Sequence, residues 1–371
     1  MISVFGSKVG EEELREVKDC FDRQWLGMGP KTRAFEEAFS RRLGLSGLAL
    51  VNSGSNALYA AVTCLGLPPS SEVVVPSFTW ISCAHAVLLA GHRPVFCDVD
   101  LATHNVTAET IARSISPKTR AVMVVHYAGK PVKMGPVREL GLPIIEDAAH
   151  AVDSRLGGKA CGAIGDVGIY SFDAVKNLAM GEGGAVTAAD PERIERVRLL
   201  RYCGIGKSGF EAATHNKARW WEYNIAEVYP KLLPSDVSAA IGLGQLAKLD
   251  RLQETRKEIW ETYQKAFAGL DWLIRPADPE PDEQHSYFTY VIRIPKRDRS
   301  AQVLYDRGIY TTLRYHPLHM NAIFRAFAPA ERLVNTERLN EDALSIPLHP
   351  NLGHADVEKI VNEVRNLPNR L

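Results

Sequence analysis

Short apolar runs that alternate with helical or turn segments constrain the fold of this chain more than any other feature. Such runs cover residues 73–76, 94–98, 121–126 and 143–146, and a further strand is expected over residues 165–172. Runs of this length, separated by helical or turn segments, are typical of strands buried in a parallel sheet. The sequence therefore predicts an α/β protein whose larger part is a mostly parallel sheet flanked by helices.

Other segments predict the elements around this sheet. Residues 11–43 predict two helices, interrupted by a Trp-Leu-Gly-Met-Gly-Pro break at residues 25–30. Residues 239–270 predict a long helical stretch, and residues 287–294 and 309–315 are typical of strands in a smaller α+β domain. A helical segment thus leads from the large sheet into a second structural unit.

Length and composition limit the protein class. A chain of 371 residues exceeds what one hydrophobic core usually fills. We therefore expect a large domain over residues 1–245, N-terminal helices included, and a small C-terminal domain over residues 246–371. The 44 basic and 44 acidic residues show no global bias toward nucleic acid or membranes.

The same composition indicates a cytoplasmic protein. No apolar run approaches a spanning helix, and the first residues lack a signal-peptide profile. The six cysteines include no Cys-x-x-Cys pair, so neither a zinc knuckle nor a disulfide framework is indicated.

Lys176 stands isolated between turn-forming residues. Ser171 precedes it, and a Gly-Glu-Gly-Gly turn at residues 181–184 follows it. Such a loop suits a phosphorylated aldehyde cofactor held against a lysine amine. Asp147 ends an apolar run, and pyridoxal phosphate needs a carboxylate beside its ring nitrogen. Since ligands bind beyond the carboxyl ends of parallel strands, we expect Asp147 and Lys176 to converge.

A second segment is suited to binding a phosphate group. Residues 51–58 lead into a helical pattern, and Gly54 allows backbone amides to approach an anion there. Ser55 and Asn56 add side-chain donors. Trp80 follows the next apolar run, where it either stacks on a flat heteroaromatic ring or packs in the core.

Together these segments resemble the DegT-type nucleotide-sugar aminotransferases, which are pyridoxal-phosphate enzymes of fold type I. The resemblance covers nearly the whole chain and implies a seven-stranded type of sheet. Further segments that carry it are residues 24–30, 94–100, 124–129, 145–151, 171–177, 236–243, 314–319 and 346–350.

The resemblance implies a role for each candidate site residue. Lys176 would form the Schiff base with the cofactor, and Asp147 would pair with the pyridine nitrogen. Ser171 would bind the cofactor phosphate together with the Gly54–Ser55 turn. Trp80 would cover one face of the cofactor ring, and His150 would lie near its phenolic oxygen, unless it is a histidine with a purely structural role.

Three residues of the Arg-Tyr-His-Pro-Leu-His segment are candidates for substrate binding. Arg314 and His316 could contact a pyrophosphate or a sugar oxygen, or be structural, and we assign His319 to the same loop. A metal site is not expected, because Pro317 prevents helical pairing of the two histidines and no third ligand is apparent.

One position departs from the family pattern. The family usually has a polar residue that reaches the phosphate of the neighbouring subunit, and Leu233 stands about there. Leucine donates no hydrogen bond. Either Lys231, two residues earlier, supplies the charge instead, or the phosphate has one contact fewer. Fold type I sites are usually completed by a second chain, so the resemblance implies a homodimer with active sites at the subunit interface.

The predicted reaction moves the amino group of glutamate to a keto group of a nucleotide-linked keto-deoxy sugar. Carbon C4 is favoured over C3, and the products are an amino sugar and 2-oxoglutarate. A cyclitol or another non-nucleotide keto sugar is an alternative substrate that uses the same catalytic residues. A sugar dehydratase is disfavoured, because related dehydratases replace the lysine with histidine. A non-catalytic protein on the same fold would not need Lys176, Asp147 and Ser171 together.

Overall fold

The computed structural model describes residues 1–205, 221–329 and 331–370. The helices are α1 (Glu11–Asp22), α2 (Pro30–Leu43), α3 (Gly54–Cys64), α4 (Ser82–Leu89), α5 (Ala108–Ala112), α6 (Met134–Arg138), α7 (Pro191–Leu200), α8 (Asp236–Ala247), α9 (Leu249–Ala266), α10 (Arg297–Asp306), α11 (Val334–Asp342) and α12 (His354–Arg365). The strands are β1 (Leu48–Val51), β2 (Glu72–Pro76), β3 (Arg93–Cys97), β4 (Thr119–Val125), β5 (Ile144–Asp147), β6 (Arg155–Leu156), β7 (Lys159–Ala160), β8 (Val167–Ser171), β9 (Gly184–Thr187), β10 (Glu283–Gln284), β11 (Tyr290–Arg293) and β12 (Ala343–Ile346).

The main sheet has seven strands in the order β1-β9-β8-β5-β4-β2-β3. Strand β9 pairs antiparallel with both β1 and β8, and the remaining pairs are parallel. Along β2, Val73 and Val75 pack into one core cluster, whereas Val74 packs into a cluster on the other face. Both faces of the sheet are therefore covered, which confirms the predicted fold class.

The predicted elements differ from the structure in two places. The helical stretch predicted over residues 239–270 is two helices, because Lys248 leaves helical geometry between α8 and α9. The strand predicted over residues 309–315 is absent. Ile309 bridges to Ile2, whereas Thr312 bridges to Ser345. Because the segment changes its partner between these two residues, no continuous ladder forms.

A second core lies in the last third of the chain. The antiparallel pair β11-β12 packs with α9 and α12 around Trp260, Tyr263 and Ile360. Ile2 from the N-terminus also packs against this core. The domain boundary between residues 245 and 246 stays a prediction, since Leu249 beyond it packs in a cluster with residues of the main sheet. Within the described ranges, no helix is both long and apolar enough to cross a membrane.

Candidate active site

A cavity of about 370 Å³ lies at the carboxyl edge of the main sheet. Segments that follow β1, β2, β5 and β8 line it, and these four strands run in the same direction. Residues 312–315, from the last third of the chain, also line the cavity. The parallel strands thus bring together Asp147 and Lys176, as expected from the order of the elements.

Asp147 is a buried carboxylate at the end of β5, only 4% exposed. Its Oδ1 accepts a hydrogen bond from the Ala149 N–H at 2.9 Å, and its Oδ2 accepts one from the Cys83 thiol at 3.2 Å. In the described part of the chain, no basic side chain forms an ion pair with it. A buried charge without a counterion is costly, so this position fits a cationic ligand group such as a protonated pyridine ring.

Lys176 lies in the turn after β8, and its amine contacts the Phe288 ring at 4.8 Å from the centroid. Although the residue is only half-buried, its amine is poorly hydrated against that ring. Burial and the Arg314 charge lower the pKa of Lys176 to about 8, which outweighs the opposite effect of Asp147. A lysine with a lowered pKa supplies the neutral amine that attacks an aldehyde.

His150 is buried beside both groups. Its ring stacks on Phe288 at 4.1 Å, and its Nε2 lies 3.1 Å from the Tyr315 hydroxyl. Burial, together with the charges of Lys176 and Arg314, holds its pKa well below the usual range, so the imidazole is neutral. Its Nδ1 is buried without a hydrogen-bond partner. This atom is therefore free to contact a ligand.

The start of α3 forms a cradle for an anion. Ser53 caps the helix, and Gly54 lies so close to β8 that an added Cβ would stand 2.6 Å from the Ser171 Oγ. The Ser55 Oγ lies 2.6 Å from the Ser82 Oγ. These four hydroxyl groups line the cavity beside a helix N-terminus. Such an arrangement suits a phosphate group.

Asn56 lies outside this cradle. Its amide donates to the Asn52 Oδ1 at 2.7 Å, and it does not line the cavity. Trp80 does line the cavity and is 53% exposed. Its ring centroid lies 5.3 Å from that of Tyr315. Of the two alternatives for Trp80, core packing is therefore not what the structure shows.

The three predicted substrate residues are not brought together. Arg314 lines the cavity, whereas His316 is exposed and its Nδ1 lies 3.0 Å from the Asn340 Oδ1. His319 does not line the cavity either, because its Nδ1 lies 2.7 Å from the Ser77 Oγ. His319 thus connects its loop to the end of β2.

Sequence reasoning missed five residues at the site. Tyr315 lies within the Arg-Tyr-His-Pro-Leu-His segment and carries a local signal. The sequence around the other four residues gives no such indication of a site, because isolated hydrophobic and small residues are common throughout any globular chain. They are Phe5, Ser82, Cys83 and Phe288.

These features fit pyridoxal phosphate. Asp147 offers a carboxylate without an ion-pair partner, Lys176 an amine whose pKa is lowered to about 8, and the Gly54–Ser171 cradle has room for a group that a side chain would fill. Each matches one functional group of the cofactor: the ring nitrogen, the aldehyde and the phosphate.

Comparisons with known proteins agree with this site. The DegT/DnrJ/EryC1/StrS aminotransferase family matches residues 7–365. The dTDP-4-dehydro-2,3,6-trideoxy-D-glucose 4-aminotransferase of Saccharopolyspora spinosa is 40% identical over 372 residues, covering 98% of this chain and 96% of the relative.

Solved structures share the fold. The aminotransferase TlmJ from Streptoalloteichus hindustanus has 39% identity and a TM-score of 0.93, with 100% of this chain and 99% of TlmJ covered. Spr1654 from Streptococcus pneumoniae, in its PMP form, has 25% identity and a TM-score of 0.93 over 100% of both chains. The chain therefore belongs to the DegT/DnrJ/EryC1/StrS aminotransferase family and is a pyridoxal-phosphate-dependent sugar aminotransferase of fold type I.

Proposed function

We propose that this enzyme moves the amino group of glutamate to C4 of a nucleotide-linked keto-deoxy sugar, giving an amino sugar and 2-oxoglutarate. The observation that carries the transfer chemistry is the convergence of the Lys176 amine and the unpaired Asp147 carboxylate in one cavity. The choice of C4 over C3 is supported by the 40% identical relative, which is named as a 4-aminotransferase.

Each residue contributes a defined step to this transfer. Pyridoxal phosphate, when bound, supplies the electron sink that stabilises negative charge on the donor α-carbon. Lys176 would hold the aldehyde group of the cofactor, and its amine, once freed, would be the base that takes the proton from the α-carbon of the donor. Asp147 keeps the ring nitrogen protonated, and neutral His150 offers a hydrogen bond through Nδ1. The same lysine serves both half-reactions.

The hydroxyl groups at the start of α3 orient the cofactor. Ser53, Ser55, Ser82 and Ser171 face the cavity beside backbone amides, and we assign the phosphate to this cradle. Trp80 is assigned to one face of the ring. None of the groups in the cradle carries a positive charge, so the phosphate dianion lacks a counterion there.

We further propose that a second copy of the chain completes the site. Three acidic residues (Asp147, Asp173 and Glu182) but only two basic ones (Lys176 and Arg314) line the described cavity. Both the cofactor and a nucleotide-linked substrate are anionic, so more positive charge is needed. Lys231 is exposed, so its charge is available to a neighbouring chain. We assign the missing cation to Lys231 rather than to half-buried Leu233.

Exposed apolar side chains give the surface that such a homodimer would bury. They lie in two segments, the α1–α2 connection and residues 221–228. Asp236 fixes the α1–α2 connection against the start of α8, because its Oδ1 accepts a hydrogen bond from the Gly29 N–H at 2.8 Å. Apolar exposure on this scale marks an interaction surface. The residues are Trp25, Leu26, Met28, Trp221, Tyr223, Ile225 and Val228.

We also propose the cytoplasm as the location. All six cysteines are free thiols, and five are buried. Unpaired cysteines are typical of proteins in reducing compartments.

An absorbance experiment tests the transfer chemistry. Purified protein with pyridoxal phosphate is scanned before and after glutamate addition, for wild type, Lys176→Ala and the exposed control Lys159→Ala. We expect glutamate to convert the cofactor to its pyridoxamine form in wild type and in the control but not in Lys176→Ala. Conversion by Lys176→Ala at the wild-type rate would contradict the proposal.

A substrate panel then tests the acceptor. The pyridoxamine form is mixed with a nucleotide-linked 4-keto sugar, its 3-keto isomer and a keto cyclitol. We expect the 4-keto nucleotide sugar to restore the pyridoxal spectrum fastest. Faster recovery with the 3-keto isomer would indicate amination at C3. Faster recovery with the cyclitol would indicate that a cyclitol, and not a nucleotide sugar, is the substrate.

A further inference from the structure

Side chains outside the described lining of the cavity join the two segments that carry Lys176 and His150. Lys176 lies after β8 and His150 lies after β5, so the two residues follow different strands of the main sheet. The residue after Lys176, Asn177, is only 3% exposed. Its side chain contacts two residues from the last third of the chain, Gln253 and Ser286. The lysine segment is thus anchored outside the main sheet.

The first connection to the histidine segment runs through Ser286. The Asn177 Nδ2 donates to the Ser286 carbonyl at 2.6 Å, and the Ser286 hydroxyl donates to the His150 carbonyl at 2.7 Å. Ser286 is fully buried, so water does not compete for either bond. Gly129 leaves room for the serine, because an added Cβ there would overlap the Ser286 Oγ. A single serine therefore connects the segments of Lys176 and His150.

A second connection runs through Gln253 on α9. Its Oε1 accepts a hydrogen bond from the Asn177 Nδ2 at 3.0 Å, and its Nε2 donates to the Val152 carbonyl at 3.3 Å. Val152 follows His150 by two residues. Because both partners of the Asn177 amide are acceptors, the atom that faces them is the nitrogen, and the orientation of the amide is fixed. The two connections form one polar network, which consists of the side chains of Asn177, Ser286 and Gln253 and the carbonyls of His150, Val152 and Ser286.

The segment that contains Ser286 also packs on the reactive side chains. Phe288 follows Ser286 by two residues, and its N–H donates to the Ala128 carbonyl at 3.0 Å. Its ring centroid lies 4.1 Å from that of His150 and 4.8 Å from the Lys176 amine. The polar network thus holds the backbones that carry Lys176 and His150, while the Phe288 ring covers their side chains. Without the network, this wall could shift and admit water to the amine.

We propose that Asn177, Ser286 and Gln253 are positioning residues for the transfer reaction. The inference rests on the roles that we propose for Lys176 and His150. None of the three is among the described residues that line the cavity, so they act through the residues that do. A reacting group displaced by about 1 Å can lose a factor of about a hundred in rate. The network is therefore expected to control the rate of the reaction rather than the binding of its substrates.

Single and double variants of the holoenzyme test the network. Ser286→Ala and Gln253→Ala each remove one connection, and the double variant removes both. Because either connection still joins the two segments, we expect each single variant to lower the limiting rate with glutamate only about twofold to fivefold. The double variant should lose more than the product of these factors, about fiftyfold or more. The KM for glutamate should change by less than about twofold.

A pH profile reports on Lys176 without turnover. The rate at which each apoprotein captures pyridoxal phosphate is followed by absorbance across the pH range. In wild type the midpoint should lie near pH 8, since burial and the Arg314 charge lower the pKa of Lys176 to about 8. Water that passes a displaced Phe288 ring favours the charged amine. The midpoint should therefore rise by about half a pH unit or more in the double variant.

Ser300→Ala is the matched control for Ser286→Ala. Ser300 is also fully buried, and its hydroxyl donates to the Lys296 carbonyl at 3.2 Å at the start of α10. This variant should lower the Tm but leave the limiting rate and the pH midpoint unchanged. A double variant that shows the same behaviour, with a lower Tm and the wild-type rate and midpoint, would overturn the proposal. The network would then only stabilise the fold.

Asn177→Ala covers the case in which the double variant does not fold, because it removes both connections at their common atom. It should reproduce the rate and the pH midpoint expected for the double variant. Wild-type values in Asn177→Ala or, if that protein does not fold either, in both single variants would overturn the positioning role. A wild type that captures pyridoxal phosphate but does not react with glutamate would contradict the proposed function instead, and the capture profile would still decide the role of the network.

Discussion

Asp147 accepts a hydrogen bond from the Cys83 thiol, with 3.2 Å between Oδ2 and Sγ. Burial and the Asp147 charge raise the pKa of Cys83 well above its usual range, so the sulfur keeps its proton and donates. Together with the Ala149 N–H, the thiol fixes the carboxylate in one orientation. Cys83 is thus a positioning residue for the carboxylate that we assign to the cofactor ring nitrogen.

We expect Cys83→Ala to lower the affinity for pyridoxal phosphate by about threefold to tenfold, the value of one lost hydrogen bond. Cys83→Ser, which restores a donor, should recover most of it. The control is Cys64→Ala, a buried cysteine whose thiol donates to the Ala61 carbonyl instead. Equal cofactor affinity in Cys83→Ala and Cys64→Ala, measured by equilibrium dialysis, would contradict a positioning role.

The lowered pKa of Lys176 predicts a pH dependence. Its amine is neutral and reactive above a pH of about 8. The rate at which apoprotein captures pyridoxal phosphate should therefore rise with pH through about 8 and then level off.

Replacing Arg314 with methionine removes a repelling positive charge, so the pKa of Lys176 should rise and the midpoint should move to higher pH. Stopped-flow absorbance measures this profile. A midpoint that is unchanged or lower in Arg314→Met would show that burial alone sets the reactivity of the lysine.

The cradle predicts the effect of adding one methyl group. A Cβ at Gly54 would lie 2.6 Å from both the Cβ and the Oγ of Ser171, so the start of α3 and the end of β8 must separate. We expect Gly54→Ala to weaken phosphate-dependent cofactor binding about tenfold to a hundredfold, the cost of overpacking at a close contact. Gly135→Ala is the matched control, since nothing lies within 4 Å of its added Cβ. The affinities of the two variants for pyridoxal, which lacks the phosphate, should differ much less.

How much of the fold the sequence predicts depends on the kind of contact. The observed bounds of β2 to β5 lie within two residues of the predicted runs, because parallel strands buried on both faces are continuous apolar segments. Strands β1 and β9 were not predicted. Strand β9 begins with the small residues Gly184 and Ala185, which give no strand signal, and the pairing of β1 with β9 joins distant parts of the chain.

The site residues divide in the same way, into those that local sequence patterns indicate and those that only the fold brings together. Lys176, Asp147 and the Gly54 turn stand at strand ends next to turn residues, so local patterns indicate them. Phe5 and Phe288 come from opposite ends of the chain, and only the folded structure shows that they enclose Arg314. His316 and His319 share a motif with Arg314, yet the loop turns their side chains to Asn340 and Ser77. A motif indicates which segment lines a site but not which of its side chains point inward.

If a homodimer completes the site, a substitution that disrupts the dimer should also weaken cofactor binding. Val228 is 97% exposed in the single chain, which is costly for valine unless a partner covers it. We expect Val228→Asp, combined with Ile225→Asp, to shift the protein toward monomer in sedimentation velocity and to weaken cofactor retention. The control is Val334→Asp on α11, another exposed valine outside the proposed interface. A monomeric variant that retains the cofactor at wild-type affinity would contradict a site completed by the partner chain.

The position of β1 has a consequence for how the enzyme is made. Among the described strands, β1 pairs in the main sheet with β9 alone, and the phosphate cradle begins directly after β1. A growing polypeptide that has not yet passed Thr187 therefore lacks the strand that pairs with β1, although Asp147 and Lys176 have already been made. Cofactor capture on the ribosome must wait until β9 has emerged. Chains that terminate before that point contain Lys176 but lack β9, the strand that pairs with β1 beside the phosphate cradle.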